Sequence, residues 1–151
     1  MRTLHWFEMG DGTDLEAIHE VERIVGVEFP ADFTEFVIKY AGASNPDECE
    51  FVVEELEGRS VIGNFGSVLE MSGDGPDSVL GSLHNLGGQI PKNVVPIIGT
   101  GSGDYICLDM RTVETGVVAY FYHGRTGDGA IKPLTHTFSE FLEMLQVPSD
   151  T

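Results

Sequence analysis

The sequence has 151 residues, 41% of them hydrophobic and nine of them phenylalanine, which excludes a disordered chain and is enough for one domain with its own core. No apolar run approaches the roughly 18 residues that a membrane-spanning helix needs, and residues 1–8 lack the apolar core of a secretory signal, so we expect a cytoplasmic protein without membrane attachment. The net charge of −17, from 25 acidic and 8 basic residues, argues against binding to nucleic acid or an anionic membrane. It is compatible with a basic protein partner, and a role in solubility alone is the other explanation.

The first clear element is a helix that begins at Thr13, after an N-terminal stretch that predicts either a short strand or a docked arm. Residues 13–16 form a capping-box pattern, in which the Thr13 hydroxyl accepts a hydrogen bond from the amide of Glu16. Gly26 suits the position that follows the end of this helix. Four apolar residues lie at helical spacing and are expected on its buried face: Leu15, Ile18, Val21 and Val25.

A second helix follows, with Pro30 in its first turn, where the missing N–H of proline costs nothing. Gly42 is expected to end it, and residues 41–47 are predicted to form a loop. The apolar stripe of this helix has the spacing i, i+3, i+4, i+7 and consists of Phe33, Phe36, Val37 and Tyr40.

An acidic segment comes next and is our candidate partner-binding surface. Residues 50–56 predict a strand, residues 59–65 predict another, and the apolar residues between the acids give the segment the character of an interface rim. A solvated charged face is the plainer alternative. The acids proposed to bind a partner are Asp47, Glu48, Glu50, Glu54, Glu55 and Glu57, with Asp74 and Asp77 as extensions.

The centre of the chain reads as a loop, a helix and a β-hairpin. Residues 72–77 are loop-forming, and residues 79–86 favour a short helix. Residues 94–98 are apolar and β-branched, and three glycines then precede a second strand that ends at Asp109. Alternation in that second strand places Tyr105, Cys107 and Asp109 on one face, and Ile106 and Leu108 on the other.

The last third predicts two further strands and a closing helix. Residues 117–123 are β-branched and aromatic, and residues 131–134 predict a short strand. Thr137 opens a second capping box, and Pro148 is expected to stop the helix that follows. Its core stripe is Phe138, Phe141, Leu142 and Leu145. Two helices, several strands joined by hairpin-like turns and a final helix predict an α+β fold with a mainly antiparallel sheet.

The order of these segments resembles the SUKH superfamily, the Smi/Knr-type domain of bacterial immunity proteins and fungal cell-wall regulators. The resemblance covers about residues 13–146, with Phe29 where leucine is common and Ala41-Gly42 where Asn-Gly is common. Its matching segments are Ile18, Glu22 and Gly26, Phe29-Pro30, Tyr40-Ala41-Gly42, Ile90-Pro91, the residues 94–98, 101–109 and 117–118, His123, and the residues 137–142.

The resemblance implies one SUKH-like domain over residues 1–151, with an N-terminal helix pair and a C-terminal helix packed on the sheet. It also implies a protein that binds and neutralises a toxin domain, often a nuclease, delivered by a neighbouring bacterial cell. We expect the protein itself to be a monomer. Nucleases are basic where they grip nucleic acid, so a partner with a charge of −17 would dock there by fast, salt-sensitive association.

Neither catalytic nor cofactor nor metal residues are predicted. Asp104 and Asp109 lie five residues apart and favour turn capping and strand-end hydrogen bonding over a carboxylate pair. The five histidines lack metal-binding spacing, His123 being expected as a partly buried strand-end residue. Residues 99–103 give neither a hydrolase nor a phosphate-loop frame. Cys49 and Cys107 are expected as reduced thiols.

Three functions therefore remain open from the sequence. The first is an immunity protein that binds a basic toxin. The second is an interaction or regulatory module of the same fold without a toxin partner. The third is a small enzyme or ligand-binding protein that uses residues 99–109, which retention of a small molecule by the purified protein would favour.

Overall fold

The computed structural model describes residues 1–54, 59–112 and 117–149. Four α-helices lie in these ranges: α1 (Leu15–Val25), α2 (Ala31–Tyr40), α3 (Val79–Leu86) and α4 (Phe138–Met144). The strands are β1 (Trp6–Glu8), β2 (Ser44–Pro46), β3 (Glu50–Glu54), β4 (Ser60–Asn64), β5 (Ser67–Val68), β6 (Val94–Gly99), β7 (Tyr105–Asp109), β8 (Val118–Phe121) and β9 (Ile131–Thr135).

Seven of the strands form one antiparallel sheet, and the other two form a separate hairpin. The order in the sheet is β1-β2-β5-β6-β7-β8-β9, and the hairpin consists of β3 and β4. Every pairing between named strands is antiparallel. The predicted α+β class with a mainly antiparallel sheet is confirmed.

Apolar side chains fill both faces of the central strands, because alternate residues of a strand point to opposite sides of a sheet. Ile106 and Leu108 of β7 join the larger cluster, which also contains the buried residues of α1, α2 and α4. Cys107 joins a smaller cluster on the opposite face, together with Leu86 at the end of α3 and Ile90 in the segment that follows. The predicted division of β7 between two faces is confirmed.

The N-terminal helix pair forms as predicted, but its first cap is shifted by one residue. Asp14, not Thr13, is the N-cap of α1, and its carboxylate accepts a hydrogen bond from the amide of Ala17 at 2.9 Å. The backbone N–H of Thr13 instead donates to the Ile38 carbonyl at 2.9 Å, which ties the chain to α2 before α1 begins. Leu15 lies in the first turn of α1 and is 51% exposed, so its predicted burial is wrong.

Gly26 follows α1 with φ +86°, in the left-handed region that glycine adopts without strain, as predicted. Pro30 is the N-cap of α2 and stands just before its first turn. The stripe of α2 is confirmed at Phe33, Phe36 and Val37, which are buried, while Tyr40 is half-buried against the same core.

The short strands at one edge of the sheet depart from the sequence predictions. Residues 44–46 were expected within a loop, yet Ser44 pairs with both Glu8 and Ser67. The closing helix keeps its predicted N-cap at Thr137 but ends at Met144, before Pro148. Gln146 then forms backbone hydrogen bonds with Glu50, a pairing that turns the chain out of the helix.

Candidate partner-binding surface

The β3–β4 hairpin carries the part of the predicted acidic segment that the structure describes. The Cα partners run from Glu50 opposite Asn64 to Glu54 opposite Ser60. Side chains alternate across such a ladder, so one face of the hairpin points to the core and the other points to solvent. Residues 55 and 56 of the predicted strand, and with them the predicted binding residues Glu55 and Glu57, lie outside the described residues.

Two apolar residues of β3 anchor the inner face of the hairpin. Phe51 and Val53 are buried, and the Phe51 ring lies 5.4 Å from the Phe141 ring and 6.0 Å from the Tyr120 ring, measured between centroids. Gly63, opposite Phe51 in the ladder, provides the space for that ring, because a Cβ atom there would lie 2.5 Å from it. The hairpin is therefore fixed to α4 and the main sheet through its inner face.

The outer face of the hairpin combines an exposed apolar pair with acidic residues. Val52 and Ile62 are direct cross-strand partners and are 42% and 56% exposed. Glu50 and Glu54 flank Val52 on the same face. Exposure of an apolar pair to water is unfavourable, and burial of the pair in an interface would recover that free energy. The flanking carboxylates favour a partner with basic residues around an apolar centre.

Ile62 is the residue of this surface that the sequence analysis did not select. Alternation along residues 60–64 leaves two choices of outward face, and pairing with β3 is needed to decide between them. Gly63 is the sequence signal that could identify the outward face. A residue without a side chain suits the position opposite a buried aromatic ring, which places Gly63 on the inner face and Ile62 on the outer face.

The structure removes Glu48 from the predicted surface. Its side chain is buried, and it accepts a hydrogen bond from the backbone N–H of His5 at 2.9 Å, with the His5 ring Nδ1 at the same distance. Burial alone would raise the pKa of Glu48, but the hydrogen bonds from His5 outweigh it and hold the pKa below its usual value. Asp47 remains exposed, and its backbone N–H donates to the His5 carbonyl.

Asp74 and Asp77 are exposed but belong to different concave regions of the molecule. Asp74 lines a concavity of about 700 Å³ beside α1. Asp77 lines another, of about 350 Å³, together with the turn between β6 and β7. Neither concavity is lined by described residues of the hairpin. The structure therefore gives no support for these two acids as extensions of the hairpin surface.

The turn between β6 and β7 positions a polar cluster around Asp104. Its carboxylate accepts hydrogen bonds from the Tyr120 hydroxyl at 2.6 Å and from the backbone N–H of His123 at 2.9 Å, and the His123 ring Nδ1 lies 2.6 Å away. Burial of Asp104 opposes ionisation, but these donors outweigh it, and the pKa of Asp104 lies below its usual value. Burial, together with the adjacent carboxylate, raises the pKa of Tyr120.

Asp104 and Asp109 thus have separate structural roles. Asp104 joins the start of β7 to the residues around the end of β8, rather than capping its own turn. Asp109 is buried at the end of β7 and accepts hydrogen bonds from the backbone and side chain of Arg111, which is the predicted strand-end role. His123 is exposed, which corrects the expectation of partial burial.

The described residues also include two thiols and several further His, Asp and Glu side chains. Cys49 and Cys107 are free thiols, and burial raises the pKa of the Cys107 thiol well above its ordinary value. Across residues 1–54, 59–112 and 117–149, His, Cys, Asp and Glu form no group of three or more that is placed to hold a metal ion. The helices within these ranges include none with the length and apolar character to cross a membrane.

Comparison with known proteins matches almost the whole described fold. A model of the SMI1 / KNR4 family (SUKH-1) matches residues 12–144, which include all four helices, the hairpin and the Asp104 cluster. The SPbeta prophage-derived uncharacterized protein YokK of Bacillus subtilis (strain 168) is 24% identical over 140 residues, spanning 84% of this chain and 71% of the relative. The name of that relative records a prophage origin and assigns no activity.

Proposed function

The chain belongs to the SMI1 / KNR4 family (SUKH-1), and from that premise we propose that it is an immunity protein that binds and neutralises a basic toxin domain. The observation that carries this proposal is the outer face of the β3–β4 hairpin, where the exposed Val52–Ile62 pair lies between Glu50 and Glu54. We assign the toxin-binding role to this face.

Apolar burial and charge have different roles in this proposed interface. Covering the exposed parts of Val52 and Ile62 supplies affinity, at about 25 cal/mol for each Å² of apolar surface removed from water. The net charge of −17 supplies fast encounter with a basic partner, because long-range attraction raises association rates. A nuclease whose basic surface grips nucleic acid is the toxin class that this charge fits best.

The proposal also covers where and in what form the protein acts. An immunity protein of this kind meets the toxin inside the cell that it protects, so we place it in the cytoplasm, as a monomer that acts by occupation of the toxin rather than by catalysis. Light scattering of the purified protein and of the complex would report the stoichiometry.

The first test is co-expression of the chain with the C-terminal domain encoded by the adjacent gene in a bacterial host. We expect the domain to be toxic alone, to be tolerated together with this protein, and to purify with it in a stoichiometric complex. Recovery of a non-toxic cellular protein instead would favour the regulatory alternative, and a retained small molecule without a protein partner would favour ligand binding.

Matched variants locate the interface within that complex. We expect Glu50→Lys combined with Glu54→Lys to slow association about tenfold at low salt, and Ile62→Gln to speed dissociation. Glu143→Lys, an exposed acid on α4, and Val147→Gln, an exposed apolar residue of the C-terminal segment, are the controls. Rates that change equally in the control variants would contradict the assignment to the hairpin, even where toxin binding itself is observed.

A further inference from the structure

A long groove runs between α1 and α3, away from the hairpin. Two open concavities, of about 700 and 450 Å³, share Ile24 and Leu80 as lining residues and therefore adjoin at these two side chains. The Asp104 cluster and the described residues of the hairpin contribute nothing to either lining. The α1 side of the groove is 11 residues long, about 16 Å at the rise of an α-helix.

The floor of this groove is apolar and its middle is open to solvent. Val21 and Met71 are buried beneath it. Ile24 stands between the two halves and is 52% exposed, although α1 already buries Ile18 and Val21 in the core. An amphipathic helix that exposes a large apolar side chain next to an apolar depression presents a surface suited to a second apolar element.

Charges divide the groove into two unlike ends. Asp14, Glu16, Glu20 and Asp74 line the end near the start of α1, whereas Lys92 lines the end near residues 87–94. Asp14 is occupied as the N-cap, and Glu20 is paired with Arg23, whose Nε lies 3.2 Å from its carboxylate. Glu16 of α1 and Asp74 of the loop before α3 line the same concavity, and within the described part of the chain neither has an ion-pair partner.

We infer that this groove binds an amphipathic α-helix of a protein partner, with apolar residues against Ile24 and Leu80 and with lysine or arginine over Glu16 and Asp74. A helix is the occupant that fits a groove between two helices, where side chains one turn apart enter the apolar floor. Lys92 repels a basic residue at the far end and so sets the direction of the bound helix. This surface is independent of the hairpin and stands whether or not the hairpin binds a toxin.

The test uses a synthetic helical peptide of about 14 residues, long enough to span the groove, with leucines on one face and lysines confined to one end. A peptide with glutamate in place of lysine is its control. We expect the lysine peptide to shift the backbone amide resonances of residues 71–74 and 80–83 and of α1 in the full-length protein. The glutamate peptide is expected to leave them unchanged.

Variants separate this site from general attraction to an acidic protein. Ile24→Gln is expected to weaken the lysine peptide about tenfold, whereas Ile62→Gln, at a similarly exposed isoleucine on the hairpin, leaves it unchanged. Asp74→Lys is expected to weaken binding more than Glu143→Lys, which makes the same charge change on α4. Equal binding of both peptides, resonance shifts outside the groove, or equal effects of Ile24→Gln and Ile62→Gln would overturn the inference.

Discussion

At the scale of single residues, Asp104 shows how one carboxylate can add side-chain hydrogen bonds to a pair of strands that the backbone ladder already joins. It stands at the start of β7 and accepts hydrogen bonds from Tyr120 in β8 and from His123, two residues beyond the end of β8. Gly103, with φ +96°, brings the backbone so close to the His123 ring that a Cβ atom there would lie 3.2 Å from Nδ1. The glycine-rich turn thus serves the geometry of this cluster.

Replacement of Asp104 by asparagine tests the energetic role of the cluster. We expect Asp104→Asn to lower the free energy of unfolding at neutral pH by about 1–3 kcal/mol, because hydrogen bonds to a charged acceptor become bonds to a neutral one. The pKa of Asp104 is lower in the folded protein than the ordinary aspartate value of 3.8, so its stabilisation is present above that value and is lost as pH falls through the folded-state pKa.

Urea denaturation of the two proteins from pH 7 down to pH 3 measures this effect. We expect the difference between them to be largest at neutral pH and to shrink below about pH 4. Asp11→Asn, at an exposed aspartate before α1, is the control and should leave the unfolding free energy nearly unchanged. A difference that is constant across this pH range would contradict the assigned role of the charge.

Residue roles were predictable where a local pattern defines them. The Thr137 cap of α4 and the hydrogen bonding of Asp109 at the end of β7 both depend on neighbours within three positions, and both are confirmed. The acidic neighbours of Glu48 in sequence predict that it is exposed like them. Its burial depends on His5, 43 positions away, and a single sequence does not show that contact.

At the scale of elements, the long periodic segments were predictable, whereas β2 and β5 were not and β1 was one of two alternatives for the N-terminal stretch. Helices α2 and α3 and strands β6 and β7 each carry enough apolar residues to define a period. Strands β1, β2 and β5 have two or three residues, too few to show alternation, and form because they pair with one another and with β6. The hairpin lies between these cases: its strands were predicted, but its outward face was not.

Gly63 offers a direct test of how the hairpin is held. We expect Gly63→Ala to destabilise the protein by about 1–3 kcal/mol, because the added methyl group would press on the buried Phe51 ring, and overpacking of a filled core costs energy of this order. Thermal unfolding provides the measurement, and hydrogen exchange of the amides of β3 and β4 shows whether the loss is local.

The control for this substitution is Gly88→Ala, since a Cβ atom at position 88 meets nothing within 4 Å. We expect it to change the melting temperature little. Faster exchange confined to β3 and β4 in the Gly63 variant would support anchoring through Phe51, whereas unchanged exchange in that hairpin would show that the ring moves aside without cost.

At the scale of the whole molecule, the net charge can be predicted from the sequence, whereas the shape of the surface cannot. The charge of −17 is plain from composition, and it predicts attraction to basic partners without stating where they bind. The two surfaces that unite acids with exposed apolar residues, on the outer hairpin face and in the α1–α3 groove, arise only after folding. Each joins segments distant in sequence, as Ile24 and Leu80 illustrate.

The same charge predicts how salt affects stability. Raising NaCl from about 0.01 M to about 0.15 M shortens the Debye length from about 30 to about 8 Å, which screens repulsion among the acids. Added salt also weakens attractive ion pairs, but the described part of the chain has few of them. They include Arg23–Glu20 on the surface and Arg111–Asp109, which is partly shielded from solvent. We therefore expect the melting temperature to rise, by about 2–4 °C for each kcal/mol gained.

The Glu50→Lys, Glu54→Lys variant provides the matched control for this salt effect. It removes two negative charges and adds two positive ones, and so moves the net charge from −17 to −13. Both substituted positions lie on the outer hairpin face, whereas Phe51 and Val53 on the inner face anchor the hairpin to the core. Because repulsion grows with net charge, we expect a smaller rise in melting temperature for the variant than for the natural chain. A melting temperature that falls with added salt would show that attractive pairs, rather than repulsion among the acids, dominate the electrostatics of the folded state.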